Sequence, residues 1–307
     1  MPPETPDLVI ILGPTAVGKS RTALGLAIKF RGEIINGDSA QVYMGFDIGT
    51  DKPSLEDRRM VPHHLFDVVA PDVQFTAADF VREALAAAAG IVGRGRVPFV
   101  VGGTGLYLKA LVDGLFPGPG RDPALRAELE AEARDKGLET LFRRLEGIDP
   151  VYAQKIRGRD RVRIIRALEV WRLTGRPISE HFHRTASPST GYRVIKVGLE
   201  LERASLYRRI DERVERMFAS GLLDEARGLL ARGVGEDAPP FRALGYRQAL
   251  ACLRGELSLE EAKALTKTDT RHYAKRQMTW FRKMDGVAWF PADSGPALEQ
   301  YLQILLE

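Results

Sequence analysis

The chain contains very little of what builds disulfides, thiolate metal clusters or membrane spans. Cys252 is the only cysteine among its 307 residues, which excludes an intrachain disulfide and a zinc site made of several thiolates. Its longest apolar run, 84–92, is far shorter than the ~18 residues that a membrane-spanning helix needs. The N-terminus carries Glu4 and Asp7 rather than a basic signal region. These absences predict a cytoplasmic protein without a membrane segment.

Histidine is scarce as well. The five histidines include His63, His64, His181 and His183, but neither group has a third ligand at a spacing typical of a metal site. Structural roles are therefore predicted for them. With 44% hydrophobic and 28% charged residues, the composition is that of a globular protein with one sizeable core and a smaller unit.

A glycine loop stands directly after the apolar run 8–12. Its sequence fits G-x-x-x-x-G-K-[ST], the pattern of a phosphate-binding loop between a strand and a helix. Backbone N–H groups and the helix N-terminus attract an anion, Lys19 adds a full positive charge, and the Ser20 hydroxyl is a predicted Mg²⁺ ligand. No other metal is suggested. The predicted phosphate site consists of Gly13, Pro14, Thr15, Ala16, Val17, Gly18, Lys19 and Ser20.

A carboxylate is predicted beside this loop. Asp38 follows the apolar segment 33–35, and the glycine-rich turn 102–105 follows the apolar segment 97–101. Since ligands of parallel sheets bind at the carboxyl ends of the strands, both are expected to face the anion of the loop. Nucleoside-triphosphate hydrolases usually end such a strand in a metal-binding Asp, so the glycines disfavour an ATPase. Asp67 is a weaker candidate for that acid because its apolar lead-in is short.

Strand and helix patterns alternate on both sides of a proline- and glycine-rich break at 116–123. This order predicts an α/β fold, a P-loop NTPase-like parallel sheet wrapped by helices. Because 122–175 shows helical patterns only, residues 117–189 are predicted to be an inserted all-helical module, and 1–116 with 190–307 the core. Strands are predicted at 8–12, 33–35, 97–101, 194–199 and 287–290. The main core helices are predicted at 19–30, 77–92, after 101 to about 115, 204–220, 222–231, 246–253 and 259–283.

Basic residues are clustered although the formal net charge is only +4. Seven arginines lie within 157–176, against the two acids Asp160 and Glu169. A second group of basic residues recurs at every fourth position, so on a helix its members would form one row of mutually repelling charges. Both groups predict a polyanion partner and a salt-dependent affinity; the alternative for the second is a solvated helix face. We call Lys263, Lys267, Arg271 and Lys275 the basic stripe.

Several short segments, spread over nearly the whole chain, together form one further pattern. They are Gly13 to Ser20, Asp38-Ser39-Ala40-Gln41-Val42-Tyr43, Asp47-Ile48-Gly49-Thr50 with Lys52-Pro53, His63 to Asp67, Val101 to Tyr107, Arg166 to Val170, Gly245-Tyr246-Arg247-Gln248 and Lys275 to Trp280. In this order they resemble the tRNA dimethylallyltransferases of bacteria. One departure is Asp51, which stands where that family commonly has a small residue.

The resemblance implies transfer of a dimethylallyl group from dimethylallyl diphosphate to N6 of the adenosine 3′ to a tRNA anticodon. Breaking the allylic C–O bond builds charge on pyrophosphate, which Lys19 and Mg²⁺ held by Ser20 would stabilise. The resemblance also implies that Arg213 binds the pyrophosphate and that Thr104 is a catalytic residue. Asp38 is assigned as the base that takes the N6 proton.

The resemblance also implies a surface for the anticodon arm of tRNA, whose target base must leave its stack. Tyr246 or Trp280 would stack on that base, with core packing as an alternative for Trp280. A monomer without an obligate protein partner is expected. The residues expected to face tRNA are Asp38, Ser39, Ala40, Gln41, Thr104, Arg126, Val162, Arg163, Ile164, Ile165, Arg166, Arg242, Gly245, Tyr246, Arg247, Lys275, Arg276, Gln277, Trp280 and Arg282.

Three other functions share parts of the same evidence. A small-metabolite kinase would bind ATP at the loop and use Asp38 as base, but it leaves the basic helices without a role. A nucleotide-gated RNA-binding protein would leave Asp38 without a role. An adenylate isopentenyltransferase shares the loop and the prenyl donor but needs no basic inserted module.

Overall fold

A six-stranded sheet forms the centre of the larger part of the chain. The computed structural model describes residues 5–116, 118–182 and 186–306. The strands are β1 Asp7–Leu12, β2 Gly32–Asn36, β3 His63–His64, β4 Val97–Gly102, β5 Arg193–Glu200 and β6 Val287–Pro291. They lie in the order β3-β2-β4-β1-β5-β6, and every pairing is parallel. All carboxyl ends therefore meet at one edge, and the predicted parallel-sheet α/β fold is confirmed.

Side chains of the central strand alternate between two buried faces. Val9 and Ile11 point into one cluster, and Leu8, Ile10 and Leu12 into another, all fully buried. A strand covered on both faces needs this continuous apolar run rather than polar alternation. The first cluster is covered by α1 Lys19–Lys29, α10 Arg203–Ala219 and α14 Gly295–Leu306, and the second by α3 Ala77–Gly93 and α4 Gly105–Asp113.

A third cluster packs the helices that follow β5. Helix α10 contributes Val214 and Met217 to it, next to the buried rings of Phe241 and Tyr246. Phe46, from the loop after β2, packs edge to face against both rings, with centroids 4.9 Å away. This cluster ties the late helices to the loop that carries the segment 42–46. The helices are α11 Leu222–Ala231, α12 Tyr246–Leu253 and α13 Leu259–Phe281, with a short 3₁₀ turn at Pro239–Arg242.

The chain divides into two units. One runs to Val112 and resumes at Pro188, and the other spans Asp113–Ser187. Within the second unit, the described residues form helices around a core that includes Leu129, Leu141 and Leu168. The predicted module 117–189 differs from this unit by a few residues at each end. Its helices are α5 Pro123–Asp135, α6 Leu138–Ile148, α7 Pro150–Ala153, α8 Arg161–Thr174 and α9 Ile178–His181.

Three elements were not predicted. Strand β3 has two residues, too few to show a period, and α2 Leu55–Met60 buries no side chain, so it lacks an apolar face. Helix α14 buries Leu298 and Leu302, an i,i+4 pair that the sequence does display. None of the helices in the described residues is long and apolar enough to cross a membrane.

The histidines of β3 have structural contacts. His64 Nε2 lies 2.7 Å from Glu33 Oε2, a carboxylate that Arg94 also binds, and His63 Nδ1 lies 2.7 Å from the Val61 carbonyl. Both therefore agree with the predicted structural role. His181 lies 3.5 Å from the Thr174 hydroxyl, and His183 falls outside the described residues.

Gly102 marks the closest approach of two strand ends, and its replacement by alanine should destabilise the protein. A Cβ there would lie 2.1 Å from the Gly37 carbonyl oxygen, a backbone atom that cannot rotate away. We expect Gly102→Ala to lower the free energy of unfolding by at least ~2 kcal/mol, measured by urea unfolding.

The matched control for that substitution is Gly25→Ala. Gly25 lies inside α1, and no atom lies within 4 Å of the position of an added Cβ. Alanine should stabilise this helix by about 0.5–1 kcal/mol. Equal behaviour of the two variants would contradict the close packing at Gly102.

Candidate active site

The glycine loop connects β1 to α1 in a conformation that needs glycine. Gly13 has φ 150°, Gly18 has φ 109°, and a Cβ on Gly13 would lie 2.6 Å from the Leu199 carbonyl oxygen. Side chains are strongly disfavoured at such positions. The loop therefore sits at the carboxyl end of the central strand, directly before the N-terminus of α1, as the motif predicts.

Lys19 folds over this loop. Its ammonium group donates to the carbonyl oxygens of Gly13 at 3.0 Å and Pro14 at 2.9 Å. The pKa of Lys19 is lowered to about 8, chiefly by burial and also by the charge of Arg213, although the charges of Asp38 and Asp51 oppose the change. The ammonium is thus poorly solvated and gains strongly from an anion in the loop.

Helix α10 brings two arginines to the loop from almost two hundred residues away. Arg209 Nη1 donates to the Val17 carbonyl at 3.0 Å, and Arg213 Nη1 donates to Thr15 Oγ1 at 2.7 Å. The two are four residues apart and therefore lie on one face of the helix. Arg213 was predicted here, whereas Arg209 was not, although its spacing from Arg213 is visible in the sequence.

Gln277 connects the glycine loop to the end of β4 through two hydrogen bonds. Its side-chain oxygen accepts from the Thr15 amide at 2.8 Å, and its amide nitrogen donates to the Gly103 carbonyl at 2.8 Å. Gln277 is only 5% exposed. Both polar groups of the side chain are therefore occupied inside the protein, and its predicted contact with tRNA stays a prediction.

Asp38 is held in a tight turn after β2. Its Oδ1 accepts from the Ala40 amide at 2.9 Å, and its own amide donates to Asn36 Oδ1 at 2.9 Å. Asn36, fully buried, also donates to the carbonyls of Asp38 and Leu65. Within the described residues, Asp38 Oδ2 accepts no hydrogen bond. The turn therefore fixes one oxygen and leaves the other available as a base.

Thr104 connects this turn to the end of β4. Its Oγ1 accepts from the Ser39 amide at 2.9 Å and donates to Ser39 Oγ at 3.2 Å. The phenol of Tyr273, on α13, lies close to Thr104, Gln277 and Asp38, and burial raises the pKa of Tyr273. Tyr273 thus stays protonated beside Asp38. It was not predicted, though it stands one helical turn before Gln277 and so shares its face.

Four of these residues line one cavity of about 490 Å³. Thr15 and Arg213 line it on the loop side, and Asp38 and Tyr273 line it on the side of the β2 turn. The predicted anion site and the predicted carboxylate therefore open into the same space. The remaining lining residues are Ser39, Ala40, Gly49, Thr50, Val214, Met217, Arg242, Ala243, Leu244, Arg247, Thr266, Asp269, Thr270 and Arg276.

Ser20 has the features of a ligand for Mg²⁺ shared with a phosphate. It is exposed in the first turn of α1, and its hydroxyl makes no hydrogen bond within the described residues. Those residues contain no group of three His, Cys, Asp or Glu that would hold a metal by itself. A metal bound mainly by phosphate oxygens, with one protein hydroxyl, fits this donor set.

Several residues expected to face tRNA are buried. Ile164 and Ile165 are fully buried in the core of the helical unit, and Tyr246 is fully buried in the third cluster. The Tyr246 hydroxyl donates to Glu225 and accepts from the Gly49 amide, so the ring is not free to stack on a base. Gly245 is also buried. A matching segment contains packing residues as well as exposed ones, and the predicted contacts of these four residues with tRNA stay predictions.

Other predicted contacts remain accessible. Val162, Arg163, Arg242, Arg247, Lys275, Arg276 and Arg282 are exposed, and Ser39, Ala40, Gln41, Thr104, Arg126, Arg166 and Trp280 are partly exposed. Trp280 packs on the second cluster against Gly105, in agreement with the alternative of core packing.

The basic stripe is mostly neutralised by α10. Lys263 and Lys267 both pair with Glu215, and Arg271 pairs with Asp211, which lies one turn earlier on α10. Repulsion within the stripe is therefore already balanced by acids at these three positions, and contact of the stripe with a polyanion stays a prediction. Only Lys275 lacks an acidic partner in the described residues.

Several arginines of the cluster 157–176 are paired with acids. Arg161 pairs with Glu130 and Arg172 with Glu128, both on α5, and Arg166 pairs with the fully buried Glu169. Glu128 and Glu130 lie outside 157–176, so the local excess of arginines overstates the positive charge of this surface. The two pairs with α5 are solvent-accessible and contribute little energy, so a phosphate can compete for Arg161 and Arg172.

The fold and site define a class of protein: a parallel-sheet phosphate-loop protein in which the anion loop shares a cavity with a carboxylate. Residues 41–284 match the family model described as IPPT: IPP transferase. A tRNA dimethylallyltransferase of Geobacter metallireducens is 53% identical over 288 residues, 93% of each chain. The chain therefore belongs to the IPP transferase family, which confirms the resemblance.

Solved structures agree with this assignment. A tRNA isopentenylpyrophosphate transferase from Bacillus halodurans matches with 41% identity and a TM-score of 0.71, covering 97% of this chain and 95% of that one. A eukaryotic dimethylallyltransferase acting on tRNA matches with 30% identity and a TM-score of 0.79, covering 94% of this chain and 74% of that one.

Proposed function

We propose that the protein transfers the dimethylallyl group of dimethylallyl diphosphate to N6 of the adenosine 3′ to the anticodon in tRNA, releasing pyrophosphate. The observation that carries this proposal is the shared cavity, whose lining includes Thr15, Arg213 and Asp38. A diphosphate in the loop and an amine hydrogen-bonded to Asp38 would meet in that space. The names of the relatives support the same reaction.

The diphosphate is the leaving group in this reaction. As the allylic C–O bond breaks, negative charge grows on the bridging oxygen and the phosphates, next to the loop amides, Lys19 and Arg213. These donors are preorganised by the contacts of Arg213 with Thr15 and of Gln277 with Thr15 and Gly103. They stabilise the transition state more than the substrate because the charge is larger there. Ser20 would hold Mg²⁺, which would supply further charge neutralisation to the phosphates.

The adenine amine is the nucleophile. It is weak, and its N6–H proton must leave as the new C–N bond forms, which requires an acceptor within hydrogen-bonding distance. Asp38 Oδ2 is that acceptor, while Thr104 and the protonated Tyr273 keep the wall beside it polar. The neutral phenol cannot compete with Asp38 as a base at neutral pH.

The anticodon arm of tRNA is proposed to bind along two groups of exposed basic residues. In the sheet-containing unit these are Arg242, Arg247, Lys275, Arg276 and Arg282. In the helical unit, Arg157 and Arg159 are exposed and have no acidic partner among the described residues, and Arg163 stands beside them. Phosphate contacts of this kind fix the orientation of RNA, and the flipped base enters the cavity.

A kinase is the alternative function that explains the phosphate loop best. Its metal would need a carboxylate at a strand end, and Asp67 is the candidate that follows β3. Lys52 and Arg58 bind both oxygens of Asp67 and lower its pKa, although burial opposes that shift. The carboxylate is therefore occupied, which favours prenyl transfer over a kinase.

The proposal is tested by incubating the protein with labelled dimethylallyl diphosphate, Mg²⁺ and one acceptor at a time: tRNA, AMP or ATP. We expect label in tRNA only, on an adenosine beside the anticodon after nuclease digestion. Label on AMP would indicate an adenylate isopentenyltransferase, and consumption of ATP with a phosphorylated metabolite would indicate a kinase. RNA binding without any transfer would leave only the RNA-binding alternative.

Affinity for pyrophosphate should fall as the pH rises through about 8. Lys19 binds an anion only in its ammonium form, and its pKa in the free protein is about 8. Below this pKa, Lys19 is charged and a further fall in pH no longer changes its contribution to the affinity for pyrophosphate. Above this pKa, the affinity falls by up to about tenfold per pH unit.

The control for this pH dependence is Lys19→Arg, since arginine stays charged throughout. Pyrophosphate titrates in the same range, so the quantity to measure is the ratio of the wild-type and variant dissociation constants by calorimetry. A ratio that is constant from pH 7 to 9.5 would contradict the depressed pKa.

A further inference from the structure

Asp51 forms an ion pair with one of the cations of the anion site. Its Oδ2 lies 3.4 Å from Arg213 Nε, while Arg213 Nη1 donates to Thr15 Oγ1 at 2.7 Å. The guanidinium, 17% exposed, thus divides its donors between a carboxylate and the phosphate loop. A diphosphate in the loop would need the same donors.

The backbone of Asp51 is fixed although its carboxylate is 61% exposed. Its amide donates to the Ile48 carbonyl at 3.1 Å, and its carbonyl accepts from Gln41 Nε2 at 3.1 Å. Its φ is 57°, a left-handed conformation that Asp and Asn tolerate better than most residues. The main chain therefore holds the carboxylate near Arg213, while the side chain remains free to turn into solvent.

Arg213 lines two cavities, each of about 490 Å³. One contains Thr15 and Asp38, and the other contains Asp51, Lys52 and Arg216. Asp51 also raises the pKa of Lys19 by its charge, which places it within electrostatic range of the second cation of the site. Its negative charge is thus felt by both groups that would hold a diphosphate.

We propose that Asp51 is an internal competitor for the diphosphate: it pairs with Arg213 in the free protein, yields it to the bound anion, and reclaims it when pyrophosphate leaves. This inference rests on the proposed function. The carboxylate lowers the affinity for substrate and product alike and speeds release of the product. A neutral residue at this position would hold pyrophosphate longer.

The test is binding of inorganic pyrophosphate with Mg²⁺ to the full chain, measured by calorimetry on Asp51→Asn. Asparagine removes the charge and keeps both the size and the left-handed backbone. We expect the dissociation constant of pyrophosphate to fall by about threefold to tenfold, with a parallel fall in its inhibition constant and in the KM for dimethylallyl diphosphate. A dissociation constant within about twofold of the wild type would overturn the proposal.

Three further variants identify the cause. Asp51→Glu keeps the charge and should restore most of the wild-type affinity. Asp47→Asn is the matched control, because Asp47 is 58% exposed in the same loop but pairs with Lys52 rather than Arg213; it should leave pyrophosphate binding unchanged. In an Arg213→Met background, Asp51→Asn should lose most of its effect. If Asp51→Asn changed pyrophosphate binding as much in the Arg213→Met background as in the wild type, the proposal that Asp51 competes for Arg213 would be overturned.

Failure of this inference is distinguishable from failure of the proposed function. Wild-type protein that does not bind pyrophosphate at all would overturn both. Wild-type protein that binds pyrophosphate and prenylates tRNA, with Asp51→Asn behaving identically, would overturn only the role of Asp51.

Discussion

Asp38→Asn is expected to lower the rate of prenyl transfer in a single turnover by about 10²- to 10⁴-fold while tRNA affinity stays near the wild-type value. The substitution removes the base, but the side-chain oxygen of asparagine can still accept from the Ala40 amide, which Asp38 Oδ1 does now at 2.9 Å. The turn after β2 should therefore persist. Single-turnover transfer and a tRNA binding curve on the same preparation separate chemistry from binding.

Asp38→Ala provides the comparison for this prediction. It removes both the base and the turn contact, so it should match Asp38→Asn in transfer and lose more thermal stability. A transfer rate for Asp38→Asn within about threefold of the wild type would remove Asp38 from the role of base. The proton would then have to pass to another acceptor in the cavity.

Lys19→Met is expected to lower kcat by about 10²- to 10³-fold, because it removes a full positive charge from the leaving group in a poorly solvated site. Methionine retains an unbranched chain of similar length. The hydrogen bonds from Lys19 to the Gly13 and Pro14 carbonyls are lost, but so is the cost of burying an ammonium group, which is evident in its lowered pKa. Thermal unfolding therefore should change little.

Lys29→Met is the charge-matched control on the same helix. Lys29 ends α1, half-exposed, and pairs with Glu299 on the surface. We expect its kcat and KM to remain at the wild-type values, since surface pairs contribute little. If Lys19→Met and Lys29→Met had the same small effect, the loop would not be binding the leaving group.

Most of the fold was predictable because it depends on short-range patterns. The apolar run in β1 is buried on both faces, and glycines at 13 and 18 have φ values of 150° and 109° that side chains disfavour. Such requirements are local, so they are visible in the residues themselves. Strand β3 escaped prediction because two residues in register with Ile34 and Ile35 carry no period.

The site was predictable only in part. The loop and Asp38 each follow a strand, and the parallel order brings strand ends together. Arg209, Tyr273 and the inward orientation of Gln277 were not predicted, because each lies on a late helix whose approach to the loop depends on packing. Residue type alone does not distinguish an exposed glutamine from one that connects two backbone segments.

The amino-acid sequence by itself determined the phosphate loop, the parallel sheet and the position of a carboxylate at its edge, because backbone conformation and burial patterns act over a few residues. Tertiary structure decided the charge balance. Lys267 and Arg271 are neutralised by Glu215 and Asp211, more than fifty residues earlier in the chain. Electrostatic energy depends on distance in space, and that distance is set only when the helices pack.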